Sequence, residues 1–226
     1  MNVLLFGATG MVGDAVMHEC FADSRVDSIL AITRSPLSIT HPKLRELRRK
    51  DFLDYRDIAS EFENIDACFF CLGVSSVGMK EDEYRRLTYD LTLAAAHTLA
   101  EARPKATFCY VSGEGTDSSE RGRSMWARVK GQTENALLAL PLDAYMFRPG
   151  LIRPRPGARS KTRWYRLAYA ILTPMYPLLY KLAPSHMTTS ENLGRAMIAV
   201  AAGGYPKRVL ENRDINAIAD ADRGAA

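Results

Sequence analysis

Histidine and cysteine are sparse, four of each in 226 residues, and that scarcity removes several kinds of chemistry at once. His18, His41, His97 and His186 have no spacing that builds a metal site, so no metal is expected and each reads as a helix-face or loop residue. Among Cys20, Cys68, Cys71 and Cys109, only Cys68 and Cys71 are spaced as CxxC. They fall inside an apolar run with no second pair, which argues against a redox or zinc motif and for buried, reduced thiols. Ser112 lacks a GxSxG elbow and any placed histidine partner, which disfavours a hydrolase. A net charge of +4 is too mild to argue for nucleic acid. The chain opens without the basic, apolar, small-residue order of a signal peptide, so a cytoplasmic protein is expected. The apolar stretch from Trp164 to Ala183 is broken by Pro174 and Pro177 and bracketed by Arg166 and Lys181, too short to span a bilayer. Neither an internal repeat nor a low-complexity linker is present.

What is there begins at the N-terminus. The run Val3-Leu4-Leu5-Phe6 ends in Gly7-Ala8-Thr9-Gly10-Met11-Val12-Gly13, and a segment with helical spacing follows through Val12, Val16, Met17, Cys20 and Phe21. This reads as strand, tight turn and helix. Gly7 permits the turn, Gly10 a close backbone approach to a ligand, and Gly13 close packing of helix on strand. The free amides and positive dipole end of that helix suit a pyrophosphate. A glycine triplet alone is weak, because glycines punctuate ordinary turns. Its place after the first strand, with a second apolar strand about twenty residues on, is that of a dinucleotide-binding unit.

Beyond it the chain alternates strand-like and helix-like segments, which implies an α/β fold: a doubly wound, Rossmann-like parallel sheet with helices on both faces. Strands are expected over Ser28 to Thr33, Lys43 to Arg49, Ala67 to Leu72, Ala106 to Val111 and Ala144 to Phe147. Helices are expected over Tyr55 to Phe62, Glu81 to Ala102 and Trp126 to Leu140. Thr188 and Glu191 have capping-box spacing ahead of a last helix; a short strand near Lys207 to Leu210 completes the sheet, and the tail from Asp220 reads as frayed. Composition shifts after Gly150. Residues 1–150 therefore read as the dinucleotide-binding core, and 151–226 as a small C-terminal substrate or interaction segment that covers the pocket.

The end of the second strand bears on cofactor choice. An acid there holds ribose hydroxyls, whereas a cation accommodates a 2′-phosphate; the residue is Arg34, whose guanidinium can fork onto a phosphate. NADP is favoured over NAD, against the plainer reading of an exposed loop arginine. Asp51 suits the adenine amino group or a turn. The loop with Arg153, Arg155, Arg159, Lys161, Arg163 and Arg166, followed by aromatic residues, suits a phosphorylated substrate, a peripheral membrane or protein contact through 153–183, or a solvated loop.

The glycine turn, Asp51, Cys71-Leu72-Gly73, Ser112, Lys130 and Phe147-Arg148-Pro149-Gly150 together resemble the short-chain dehydrogenase/reductase superfamily. More narrowly, the chain resembles its atypical branch of NmrA-like and Tat-interacting-protein-like oxidoreductase homologues, often labelled sugar-nucleotide epimerases. The resemblance covers roughly residues 1 to 210. It implies that Gly7, Thr9, Gly10, Met11, Val12 and Gly13 surround the pyrophosphate, with Arg34 at the 2′-phosphate. Asp51 and Phe52 would flank the adenine, Leu72 and Gly73 the adenosine ribose, and Lys130 the nicotinamide ribose. Pro149, Gly150, Leu151 and Ile152 would line the nicotinamide. Ser112 would hydrogen-bond a substrate oxygen and, with Lys130, form the catalytic set.

The family's acid/base is a tyrosine four residues before the lysine. Here that position is Trp126, an indole with no acid/base chemistry near neutral pH. Trp126 either shapes the pocket or belongs to the core. Tyr165, Tyr169, Tyr176 and Tyr180 offer phenols in the C-terminal segment but read first as packing. Glu114 and Asp117 lie near the expected pocket mouth, where solvated loop acids are the ordinary reading. Two functions follow: an NADPH-dependent oxidoreductase acting on a small carbonyl or sugar-nucleotide-like substrate, or a non-catalytic NADP(H)-responsive regulatory or interaction protein.

Overall fold

The computed structural model describes residues 1–155 and 184–225. Its centre is a seven-stranded sheet in the order β3-β2-β1-β4-β5-β6-β9, with every pairing parallel. The strands are β1 (Asn2–Phe6), β2 (Ser28–Thr33), β3 (Leu44–Arg48), β4 (Ala67–Phe70), β5 (Thr107–Val111), β6 (Asp143–Arg148) and β9 (Val209–Glu211). The helices are α1 (Met11–Ala22), α2 (Glu81–Arg85), α3 (Leu91–Ala102), α4 (Met125–Leu138), α5 (Ser190–Gly203) and α6 (Asn212–Ala225).

The apolar run of β1 is buried on both faces because side chains alternate along a strand. Val3 and Leu5 join one core with Met17 of α1, Met197 of α5 and Ile215 of α6. Leu4 and Phe6 join the other with Leu99 of α3 and Leu137 of α4. β1 is flanked by β2 and β4, so the chain, having run outward to β3, must return across β1 to start β4. That reversal opens a crevice beyond the carboxyl ends of β1 and β4, where open α/β sheets place ligands.

Four expectations are corrected in detail. The segment expected as a helix before Phe62 is a 3-10 helix, Arg56–Phe62. The single helix expected from Glu81 is interrupted by a π-helical segment, Arg86–Asp90. The cap of α5 is Thr189, whose hydroxyl accepts from Asn192 N at 3.0 Å; Thr188 belongs to a short strand β8 (Met187–Thr189) paired with β7 (Leu151–Arg153), and its hydroxyl donates to Asn216 at 2.7 Å. The tail is helical rather than frayed, because α6 buries Ile215 and Ala219 and its Asp222 accepts from Arg25 at 2.7 Å.

Candidate functional site

The crevice is a cleft of about 640 Å³ over the ends of β1, β2 and β4. Gly7 has φ +81°, and a Cβ on it would lie 2.6 Å from the Cys71 carbonyl oxygen; one on Gly13 would lie 2.2 Å from the Gly7 carbonyl oxygen. Only glycines let β1, β4 and α1 approach this closely. Gly10 N donates to Gly7 O at 2.8 Å, and no side chain caps α1. The first-turn amides therefore remain as donors at the cleft floor.

Gly7, Thr9, Gly10, Arg34, Asp51, Phe52, Leu72 and Gly73 all line this cleft. Met11, Val12 and Gly13 form the first turn of α1, where Val12 packs on the core and Gly13 is buried. The Asp51 carboxylate accepts from Leu53 N at 2.8 Å, and Phe52 meets Phe6 edge-on at 6.3 Å. Thr33, Ser35, Lys50, Glu83, Arg86 and Leu87 also line the cleft without a motif that marks them. Lys50 is one residue before Asp51, and Arg86 reaches the cleft from the π-helical segment, a distortion frequent at functional sites. Arg34, Lys50 and Arg86 form no ion pair with any described residue, whereas Arg25, Arg45, Arg56, Arg148 and Arg195 each do. The bend carrying Arg34 is held by Glu46 on β3. Its Oε1 accepts from Thr33 Oγ1 at 2.6 Å and from Leu37 N at 3.1 Å, one on each side of the bend.

A second pocket of about 480 Å³ lies along the same sheet edge, over β5 and β6. Ser112, Pro149, Gly150, Leu151 and Ile152 line it, together with Val111, Gly113 and Glu114. Ser112 is buried, and its hydroxyl donates to Phe147 O at 3.1 Å; with the proton so used, the oxygen is left to accept. Lys130 rises from α4 beneath this edge, half-buried, and its ammonium donates to the Ser112 carbonyl oxygen. Burial pushes Lys130 down to about 8, against the opposing charge of Glu134. Trp126 stands one turn earlier, its ring against Gly115: a Cβ there would meet Trp126 Cη2 at 3.6 Å.

Two connections around this pocket have no signal in the sequence beyond helical spacing and a glycine-flanked acid. Glu134, four residues after Lys130 and fully buried, forms a two-point pair with Arg148 at the end of β6. Across the pocket mouth, Glu114 Oε1 is hydrogen-bonded to His186 Nδ1. The residues from 156 to 183, including Tyr165, Tyr169, Tyr176, Tyr180 and most of the basic-aromatic stretch, lie outside the described residues.

No family model matches the chain. It is 27% identical over 164 residues to protein HTATIP2 of Rattus norvegicus, covering 69% of this chain and 66% of that protein, so the match spans just under two thirds of the relative's length. It is 29% identical over 170 residues to the mitochondrial protein fmp52 of Emericella nidulans, covering 72% of this chain and 70% of that one. Among solved structures, MoeE5 in complex with UDP-glucuronic acid and NAD superimposes with a TM-score of 0.66 at 21% identity, covering 93% of this chain and 75% of MoeE5. The expectation of a cytoplasmic protein is overturned by these relatives: fmp52 proteins of several fungi are named as mitochondrial. The residue pattern at the start of the sequence does not separate cytosol from organelle. Among the described residues no helix is long and apolar enough to cross a membrane.

Proposed function

We propose that this chain, which belongs to the atypical short-chain dehydrogenase/reductase superfamily, binds NADP(H) and acts as an oxidoreductase on a small carbonyl or sugar-nucleotide-like substrate. The observation that carries the reading is the cleft over β1 and β4, with uncapped amides at its floor and three cations without carboxylate partners among the described residues at its rim. All three are exposed, and with Asp51 and Glu83 the only acids among the described residues lining the cleft they give its rim a net positive charge, which suits an anionic ligand. The α1 amides suit the pyrophosphate. Arg34 and Lys50 suit the 2′-phosphate, and Asp51 with Phe52 the adenine. Leu72 and Gly73 suit the adenosine ribose, and Pro149 to Ile152 the nicotinamide.

When bound, such a dinucleotide supplies or accepts a hydride. The chain's own groups orient substrate and exclude water. Ser112 offers an acceptor to a substrate hydroxyl, and Lys130, half-buried and still charged at neutral pH with its value pushed down to about 8, holds the Ser112 backbone in place and presents positive charge under the pocket.

Trp126 favours a second reading, a non-catalytic NADP(H)-responsive interaction protein, because the indole supplies no proton. Titration with NADPH and NADH, followed by NADPH oxidation with a panel of aldehydes and ketones, separates the two. Binding with turnover is the outcome expected of the enzyme. Tight binding without turnover favours the second reading, and no binding of either dinucleotide rejects both.

A further inference from the structure

We propose that Glu114 is the proton donor of this site and that His186 recharges it, in the role left open by Trp126. The inference rests on the oxidoreductase reading above. Glu114 sits between Gly113 and Gly115, with φ of +148° and +84°, a backbone path that favours glycine on both sides of the acid. Its N–H donates to Pro149 O at 2.9 Å, which ties the loop to the end of β6, and Glu114 is among the residues lining the second pocket with Ser112 and Gly150. Gly150 leaves the room: a Cβ there would lie 2.7 Å from Glu114 Oε2 and 2.2 Å from the His186 carbonyl oxygen. Oε1 of the same carboxyl is bonded to His186 Nδ1. At 40% and 63% exposed, Glu114 and His186 form a path from pocket to solvent.

The neighbouring candidates do not fill this role. The Ser112 hydroxyl proton is held by Phe147 O. The Asp117 carboxylate accepts from Ser119 Oγ at 2.6 Å and from Gly122 N at 2.6 Å, and these bonds hold it below the usual carboxylate range. Trp126 instead supports the donor, because its ring packs against Gly115, the residue that follows Glu114.

The substrate carbonyl carbon would take a hydride from NADPH while the carbonyl oxygen takes a proton from Glu114 Oε2, as His186 passes its Nδ1 proton to Oε1 of the same carboxyl. His186 is then reprotonated from bulk solvent. The sum is carbonyl, NADPH and a proton giving alcohol and NADP⁺.

The test compares the wild-type chain, Glu114→Gln, His186→Asn, and Glu114→Gln combined with Trp126→Tyr. NADPH affinity is expected to stay within about twofold in both single variants. With the aldehyde and ketone panel, kcat is expected to fall about 10²-fold in Glu114→Gln, with KM little changed. The added Trp126→Tyr is expected to restore turnover, since it places a phenol one turn before Lys130. In the cofactor-free protein, the His186 imidazole nitrogen resonances are expected to move in Glu114→Gln. Glu114→Gln turning over at the wild-type rate or unmoved His186 resonances would each overturn the proposal. A wild type that binds NADPH but reduces no carbonyl, or that binds neither dinucleotide, rejects the underlying oxidoreductase reading instead, and the donor with it.

Discussion

Arg34 and Lys130 carry opposite lessons about single charges. Arg34 is exposed and lacks a carboxylate partner among the described residues, on a bend held from both sides by Glu46. Charge-assisted hydrogen bonds contribute about 1.5–3 kcal/mol, so Arg34→Glu is expected to weaken NADPH binding by about 10- to 100-fold and to leave NADH binding nearly unchanged. Parallel fluorescence titrations with the two dinucleotides measure this; equal losses for both would remove Arg34 from the 2′-phosphate. Lys130 is pushed by burial from 10.5 down to about 8. Between those values the unfolded chain holds a proton that the folded one has released, so stability rises with pH across that window. Below it, the folded state bears the cost of a buried ammonium. Lys130→Met removes the group. Urea unfolding is therefore expected to show the wild type gaining on the variant from pH 8 to pH 10.5, by at most about 3 kcal/mol. A difference that stays flat with pH counts against the buried charge.

At the scale of elements, α4 is fastened to β6 through Glu134 and Arg148, whose side chains are 1% and 12% exposed. Removing Glu134 leaves Arg148 with the more exposed Glu211 at 3.3 Å as its remaining carboxylate, so Glu134→Leu is expected to lose somewhat less than the ~3–5 kcal/mol of a fully uncompensated buried charge in chemical denaturation. Adding Arg148→Met should recover most of it; strict additivity of the two losses would mean that the pair does not interact. This fastening was not legible in the sequence, where Arg148 stood out only as part of Phe147-Arg148-Pro149-Gly150 and Glu134 as one polar residue on a helix. Strands were more legible, because the apolar runs of β1, β2 and β4 leave little choice of period. The cap of α5 was misplaced by one residue. Thr188 and Thr189 are chemically equivalent in sequence, and only the pairing of β8 with β7 decides which hydroxyl turns to the helix. The π-helical segment that brings Arg86 to the cleft is likewise invisible in a pattern that continues at helical spacing on both sides.

Across the whole molecule, the sheet isolates its thiols. Cys20, Cys68 and Cys109 are buried, and desolvation raises all four thiols, Cys71 included, above the ordinary range. Cys71 alone of the four lines the cleft. A disulfide reagent at pH 8 is expected to modify Cys71 slowly and the other three only after unfolding, because the thiolate is the nucleophile. If the dinucleotide occupies the cleft, saturating NADPH is expected to slow the Cys71 reaction further. Rapid titration of two or more thiols in the native protein would contradict this packing.

Residues close along the chain carried the reading made from sequence: the Gly7, Gly10 and Gly13 turn, the alternation of apolar periods, and the Trp126 to Lys130 spacing that withholds the expected phenol. Each is a local pattern, set by backbone sterics and by the 2.0 and 3.6 residue periods, and such patterns survive in one dimension. Tertiary structure alone decided the contacts between distant segments. It brought Lys50 and Arg86 beside Arg34 at one cleft, bonded Glu46 to the bend after β2, and set His186 against Glu114, which is 72 positions away. Those neighbours are chosen by which strands pair and which helices cover them, so the charges that meet at the site are a property of the sheet order rather than of any stretch of sequence.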